Sequence, residues 1–495
     1  VLNRRKAVGI FLTSLITQLE DRHMSLEQSV IAFLDDQDEH LSYLAQQIWD
    51  NPEIALQETF ACNLLATEIE AAGFTVERNI GQMPTAFVAT WGSGAPIIGI
   101  LGEYDALPSL SQKLTTEHDP VVTGGPGHGC GHNLFGVASF AAAVSLKKLM
   151  EEQNIPGTIR FYGCPAEETI VGKTFMAKAG VFHDLDAALA WHPGDINQVW
   201  ANSSQAMNSF KVNFHGVSSH AAADPHNGRS ALDAALLMDV GVNYLREHII
   251  QEARIHSVIT NGGLAPNVVP NHAQIWYFVR TPRREQVDPI YQRVLNIAKG
   301  AALMTDTTYD IDFLTGCYHM LSNQVLSTRL YENMKKIDPI EFTEEEKAFA
   351  KKLQATFTEG ALEHTFAHVK KQAPIEIDDD KINEPLWSEV LPHKTTGESM
   401  PGSTEVADVS HITPTAQMST VCWPFGTPGH SWQIVASSGS SIGMKGMLFA
   451  AKTLALTALD LFTQPDLLQA AKDEFQRDTK GKPYVSPLPE DAFPH

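Results

Sequence analysis

From residue 97 onward the chain alternates short apolar runs with longer helix-periodic ones, an order that restricts it to layered α/β folds. Residues 97–101, entered through Pro96, read as a buried strand, 134–150 as a helix rich in Ala and Leu, and 158–162 and 187–190 as further strands. A leading helix, 25–73, precedes them. Near Ser209 the texture changes. Phe210, Val212 and Phe214 alternate with polar residues, an amphipathic pattern covers 230–250, strands fit 257–260 and 273–279, a helix fits 284–302, and 309–313 alternates again. That order, β-α-β-β-α-β, predicts one inserted unit with its helices on one face. The α/β pattern then resumes with a strand at 418–422 and a helix at 442–462. The charged stretch 338–385, with Glu344, Glu345, Glu346, Lys370, Lys371 and Asp378 to Asp380, is expected to be solvated helix and loop.

A chain of 495 residues that is 43% hydrophobic and 19% charged can bury a core without disulfides, which leaves any metal free for chemistry. Its formal charge of −22 argues against nucleic acid or an anionic membrane as the main partner. The five cysteines, Cys62, Cys130, Cys164, Cys317 and Cys422, are scattered and form no Cys-x-x-Cys pair, so a reducing, cytoplasmic location is expected. Arg4, Arg5 and Lys6 before an apolar stretch at 7–19 outline a signal peptide that lacks a small-residue cleavage site, and Met24 reads as an alternative start. No other apolar run is expected to approach the roughly 20 residues of a membrane span.

The loop Gly127-His128-Gly129-Cys130-Gly131-His132-Asn133 interleaves three glycines with metal-ligating side chains, so the backbone can wrap while soft and borderline donors converge. Glu167-Glu168 follows a strand after the small residues of Gly163-Cys164-Pro165-Ala166. Such strand ends line the ligand crevice of α/β proteins. One of two adjacent carboxylates can coordinate while the other moves protons. His192 follows the next strand, and His430 lies in Gly426-Thr427-Pro428-Gly429-His430. Together these donors suffice for two divalent ions with open positions. His128, His215 and His226 read as structural, and Gly262-Gly263 has no phosphate-binding pattern around it.

On these motifs the chain resembles the peptidase M20 amidohydrolases, in particular the branch with a Cys-x-His metal loop. The resemblance runs from about residue 24 to 462. It rests on Gly102-Glu103-Tyr104-Asp105-Ala106-Leu107-Pro108, Gly129-Cys130-Gly131-His132-Asn133, Glu167-Glu168, His192, Ser219-His220-Ala221-Ala222 and Thr427-Pro428-Gly429-His430. The 24-residue step from Glu168 to His192 matches the branch. It implies a catalytic α/β/α domain, 24–207 and 317–495, and a βαββαβ lid and dimerisation domain, 208–316. Cys130, His132, Glu168, His192 and His430 become ligands of two divalent ions, zinc or manganese, and Glu167 the general base. Asp105 orients a ligand without touching the ion. His220 reaches a neighbouring subunit's active site, and Asn267 and Arg280 hold the substrate carboxylate. The family's His-x-Asp reads Glu103-Tyr104-Asp105 here, with His132 as the substitute ligand, and Asn133 stands where many members carry Asp.

For each lid residue a plainer role stays open: a helix cap for His220, a turn for Asn267, a surface ion pair for Arg280. The implied reaction is hydrolysis of an N-acyl or aroyl amino acid such as p-aminobenzoyl-glutamate. A dipeptide or an indole-acetyl amino acid is the alternative substrate, and a non-catalytic binding protein or partner chain the alternative class. A homodimer is expected, with hetero-association to a related subunit open.

Overall fold

The structure is a computed structural model that describes residues 25–392, 394, 395, 397 and 399–494. The basic and apolar leader and Met24 lie outside the described residues. Twelve strands are described: β1 Thr75–Arg78, β2 Phe87–Ser93, β3 Ile97–Glu103, β4 Gly157–Cys164, β5 Ala187–Gly194, β6 Ile196–Val199, β7 Ala206–His215, β8 Arg254–Asn261, β9 His272–Thr281, β10 Thr308–Cys317, β11 Trp387–Val390 and β12 Thr415–Val421. Eight form one sheet in the order β1-β2-β4-β3-β5-β12-β6-β11. Its centre is parallel, with β3 beside β4 and β5, and β5 beside β12.

Both faces of this sheet are covered, as near-continuous apolar strands require. On one face the helices His132–Gln153 and Ser441–Thr463 pack with Leu26–Asp36 and Asp38–Asp50 around Leu44, Phe135, Ile159, Trp191 and Leu454. On the other, Gly172–Lys178 and Val406–Ser410 close over Leu101, Tyr162, Phe175 and Val409. A Cβ on Gly102 would lie 2.7 Å from the Phe161 ring and 3.3 Å from Gly136 Cα, so the bare backbone lets helix and strand approach.

The expected leading helix is instead three, Leu26–Asp36, Asp38–Asp50 and Thr59–Ala71. Gln37 leaves helical geometry at φ −92 and ψ 0, and a bridge from Ile54 to Ala106 draws the segment after Pro52 onto the rim of the large sheet. The strand expected at 187–190 continues to Gly194, because β12 stays in register with it from Thr415 to Val421. His192 therefore stands in a strand, not after one. The helix Ser441–Thr463 corrects the expectation on apolar runs. It is long and apolar enough to cross a membrane, yet 83% of its most apolar 18 residues are buried inside the protein, where it serves as the core helix. The charged stretch forms the helices Glu344–Gln354 and Ala361–Gln372, the first opened by a reciprocal Thr343–Glu346 cap.

The other four strands make an antiparallel sheet, β10-β7-β9-β8. The helices Ala231–Leu245 and Arg284–Thr305 cover one face around Phe210, Phe214, Met238, Tyr277 and Val294, and the element order is the expected β-α-β-β-α-β. Period-two alternation puts Trp276, Phe278 and Arg280 on the face away from those helices.

Where β10 leads back to the large sheet, His411 packs against Tyr318 and His319, with ring centroids 4.5 and 4.8 Å away, and its Nε2 donates to the His319 carbonyl at 2.9 Å. Burial, then the neighbouring His319, pulls the His411 pKa down to about 3. Below about pH 6.5 the unfolded chain binds a proton that the folded one refuses, so stability falls with pH by about 1.4 kcal/mol per unit from this residue. His411→Phe should make the acid limb of urea-measured stability shallower between about pH 7 and about pH 5. An unchanged slope would place the acid sensitivity elsewhere.

Candidate metal centre

Because β3, β4, β5 and β12 run parallel, their carboxyl ends form one rim. Glu103 ends β3, Glu167 and Glu168 follow β4, His192 lies near the end of β5, and His430 comes after β12. Cys130 and His132 sit at the amino end of the helix His132–Gln153. Gly131 between them has φ +73, and a Cβ there would lie 2.9 Å from Trp423 and 3.0 Å from Pro193. Only glycine fits the turn.

Ala166 and Ile170, both left-handed at φ 55 and 60, bracket the single turn Glu167–Thr169. For an alanine and a β-branched residue this conformation costs on the order of 1–3 kcal/mol each. Buried carboxylates hold the turn in place: Ala166 N–H donates to Glu58 at 2.9 Å and Glu168 N–H to Asp105 at 2.9 Å.

The donors converge. Cys130 Sγ is 3.3 Å from His192 Nε2, and His430 Nε2 is 3.4 Å from Glu168 Oε2. His132 places Nδ1 3.0 Å from Asp105 Oδ1 and Nε2 3.3 Å from Glu103 and 3.9 Å from Glu167. Donor atoms of Cys130, His132 and His192 lie within 4.8 Å of one another, as do those of Cys130, Glu168 and His430 and those of Glu103, His132 and Glu167. Two ligands about 2.1 Å from one tetrahedral ion stand about 3.4 Å apart, so these spacings suit direct coordination. Glu103 Oε2, His132 Nε2 and Glu168 Oε1 are buried without a hydrogen-bond partner. Orphaned acceptors clustered at one rim are what a cation would satisfy.

The electrostatics agree. Burial, reinforced by Glu103 and Glu405, raises Glu167 well above the usual carboxyl range. Burial lifts Glu168 to about 7, and burial with Asp105 lifts Glu58 to about 8. Burial, with His132 next, lowers His192 to about 3, leaving a neutral imidazole, the form that ligates metals. The carboxylates crowd together with too little positive charge to balance them, and Lys173 is the fully buried lysine among them.

Lys173, Glu405 and Glu58 were not expected from sequence. Lys173 Nζ lies 2.7 Å from Glu103 and 3.2 Å from Glu405. A signal existed for Lys173, which interrupts the largely small or apolar run Val171 to Ala177, but not for Glu405, which stands just before the helix Val406–Ser410. Glu103, noted only as the replacement of a histidine, proves to face the donors.

Asn133 turns away from the rim and donates to the Ser438 carbonyl at 3.1 Å. His128 is a core residue bonded through Nε2 to the Ile48 carbonyl, and His215 and His226 pair with Asp310 and Asp224 on the surface. His220 and Asn267 meet each other in the smaller unit: Ala221 N–H donates to the Asn267 carbonyl at 3.0 Å, and His220 bridges Val268. The His220 ring accepts from the N–H groups of Ala222 and Ala223 at 3.2 and 3.0 Å, in a turn and not at a helix start. Arg280 lies over the Phe278 ring at 5.3 Å with its Nε buried and unpartnered.

An α/β/α body with paired donor groups on a parallel-strand rim and an inserted βαββαβ unit defines a metal-dependent hydrolase. The chain belongs to peptidase family M20/M25/M40, which it matches over residues 99–460, and it is a hydrolase of linear amide or peptide bonds. It is 44% identical over 479 residues to the B component of the p-aminobenzoyl-glutamate hydrolase of Escherichia coli (strain K12), covering 94% of this chain and 99% of that protein. It is 30% identical over 459 residues to the Xaa-Arg dipeptidase of Mus musculus, covering 90% of each. Among solved structures, the YXEP protein of Bacillus subtilis, described as a dinuclear metal binding peptidase of the M20 family, superposes with a TM-score of 0.52 at 16% identity, covering 87% of this chain and 99% of that one.

Proposed function

We propose that this chain hydrolyses the amide bond of an N-acyl amino acid whose acyl group is aromatic, such as p-aminobenzoyl-glutamate. The observation that carries the reading is the pair of three-donor groups sharing Cys130, with Glu167 beside them. Cys130, His132 and His192 would hold one divalent ion, and Cys130, Glu168 and His430 the other. Bound there, a pair of ions supplies Lewis acidity and lowers the pKa of water from about 15.7 toward about 7. A thiolate with three imidazoles suits zinc, and the carboxylates also admit manganese.

Asp105 fixes the His132 ring through Nδ1 and so keeps Nε2 aimed at the rim. Glu167 takes the proton of the attacking water and returns it to the departing amine. Its buried, carboxylate-rich surroundings favour the protonated form that the second step needs. His220, with Nδ1 accepting backbone N–H groups, carries its proton on Nε2 and can donate to an oxyanion. It serves the site of a second copy.

The unit 208–316 acts as lid and dimerisation domain. In support, the helix Ala231–Leu245 exposes Leu236, Val240 and Tyr244, and β8, an edge strand of the smaller sheet, exposes Val258 and Ile259. An unpaired edge beside apolar side chains favours pairing with another chain. A homodimer follows, and the likeness to one component of a two-component hydrolase supports association with a related chain as well. Five unpaired cysteines favour a cytoplasmic location.

Arg280, at the end of β9, holds the substrate carboxylate, and Asn267, before the start of the same strand, joins it from a second copy. Burial lowers the Arg280 pKa, so an anion that relieves its desolvation binds well there. Arg254, its register partner on β8, lines an adjoining cleft with Arg283 and His319. The test is a hydrolysis screen of p-aminobenzoyl-, indole-acetyl- and benzoyl-amino acids and of dipeptides, with zinc and manganese supplied separately. Acidic leaving amino acids should be favoured, and Arg280→Ala should raise KM at least about 10-fold for them. Turnover of dipeptides alone would favour the dipeptidase reading, and no turnover with bound metal would favour a non-catalytic binding role.

A further inference from the structure

Resting on the metallohydrolase reading, we propose that Glu103 is itself a ligand of the ion that His132 holds, its donor atom clustering with those of His132 and Glu167, and that Lys173 and Glu405 fix it for that task. Glu103 Oε2 lies 3.3 Å from His132 Nε2, and both atoms are buried with no hydrogen-bond partner. His132 meets Asp105 at 3.0 Å through Nδ1. With Nδ1 kept on Asp105, an ion that displaces the Nε2 proton meets a ring nitrogen on one side of the gap and a carboxylate oxygen on the other. The gap is close to the separation of about 3.4 Å for two ligands on one tetrahedral ion. Glu167 Oε2 is 3.9 Å from the same Nε2.

The other half of the Glu103 carboxylate shows how it is held. Lys173 Nζ contacts Oε1 at 2.7 Å and shares its charge with Glu405 at 3.2 Å. Glu405 also accepts from the Lys173 backbone N–H at 3.2 Å, which ties Glu405 to the first turn of the helix Gly172–Lys178. One ammonium serves two carboxylates, whose Glu103 Oε2 and Glu405 Oε2 are left without a hydrogen-bond partner, and the first of these lies on the side of His132. The arrangement orients the carboxylate by one oxygen and offers the other. Lys173 and Glu405 are positioning residues that act through Glu103.

Two measurements decide the matter. In crystals of the wild-type protein loaded with manganese, anomalous scattering should place an ion bonded to Glu103, at about 2.0–2.2 Å from one carboxylate oxygen. An ion on Cys130, His132 and His192 with Glu103 beyond bonding distance would overturn the proposal. In solution, metal-free Glu103→Gln titrated with zinc against a competing chelator should bind one of two ions at least about 10-fold more weakly, the other unchanged. Wild-type affinity for both ions would overturn it. Should Glu103→Gln fail to fold, the manganese position in the wild-type protein decides alone. A wild-type protein that takes up no ion would fail the metallohydrolase reading itself.

Discussion

Glu167→Gln should lower kcat by about 10²–10⁴-fold while metal content stays at the wild-type level. The glutamine keeps the shape of the side chain and can still hydrogen-bond water, but it cannot accept the proton. Glu168, not Glu167, belongs to the three-donor groups that include Cys130, so the ions should remain. The same change also tests the electrostatics. In the metal-free protein, burial with Glu103 and Glu405 makes an ionised Glu167 unfavourable, so a neutral residue there should raise the urea midpoint of the apoprotein at neutral pH. The check is steady-state kinetics beside elemental analysis. Wild-type kcat would remove Glu167 as the base, and loss of metal would recast it as a ligand.

Most of the rim was legible in the sequence because its donors obey a local rule. Cys130 and His132 interleave with glycines, Glu167-Glu168 follows an apolar strand, and both residue types announce the chemistry without reference to distant parts of the chain. The β-α-β-β-α-β order was legible for the same reason, since period-two and 3.6-residue patterns are properties of the segment itself. The leading region was not. Its helical periodicity is genuine, but the chain breaks at Gln37 and again at Asn51-Pro52, and the bridge from Ile54 to Ala106 that then holds the segment is a contact no local pattern reveals. His192 escaped its expected loop because the register of β12, over two hundred residues away, carries β5 onward.

The buried charges were illegible for a deeper reason. Lys173 interrupts an apolar run, a mark that says nothing of its partners until Glu405 and Glu103 arrive from separate parts of the chain to surround it. A buried lysine is tolerated only when it is paired, so its meaning lies wholly in tertiary contacts. Glu103 shows the converse. The substitution of a family histidine reads in sequence as a lost ligand, whereas the structure shows a carboxylate oxygen turned to the same rim. His220 and Asn267 belong to a third case, because their contacts within this chain are those of an ordinary turn.

Cys130→Ala should strip both ions rather than one. Cys130 is the one residue common to the Cys130–His132–His192 and Cys130–Glu168–His430 groups, so its sulfur is placed to serve two ions at once. Removing it leaves Glu168 and His430 alone in one group, fewer than the three protein ligands a catalytic zinc site ordinarily needs, and takes the thiolate from the other, so that neither ion should survive exhaustive dialysis even with Glu103 in place. His192→Ala, by contrast, depletes only one group and should leave about one ion per chain. Elemental analysis after exhaustive dialysis separates the outcomes: near-zero metal for Cys130→Ala beside near-half for His192→Ala supports the shared thiolate. Equal half-loss in both would confine Cys130 to a single ion, and unchanged stoichiometry would exclude it altogether. The wild-type protein should carry the same logic in its pH dependence. Burial and the charge of Glu168 hold the Cys130 thiol protonated in the metal-free protein, so metal binding through that sulfur must expel its one proton. Zinc affinity should therefore climb with pH across the neutral range in the wild type, and that climb should be shallower for whatever weak binding Cys130→Ala retains.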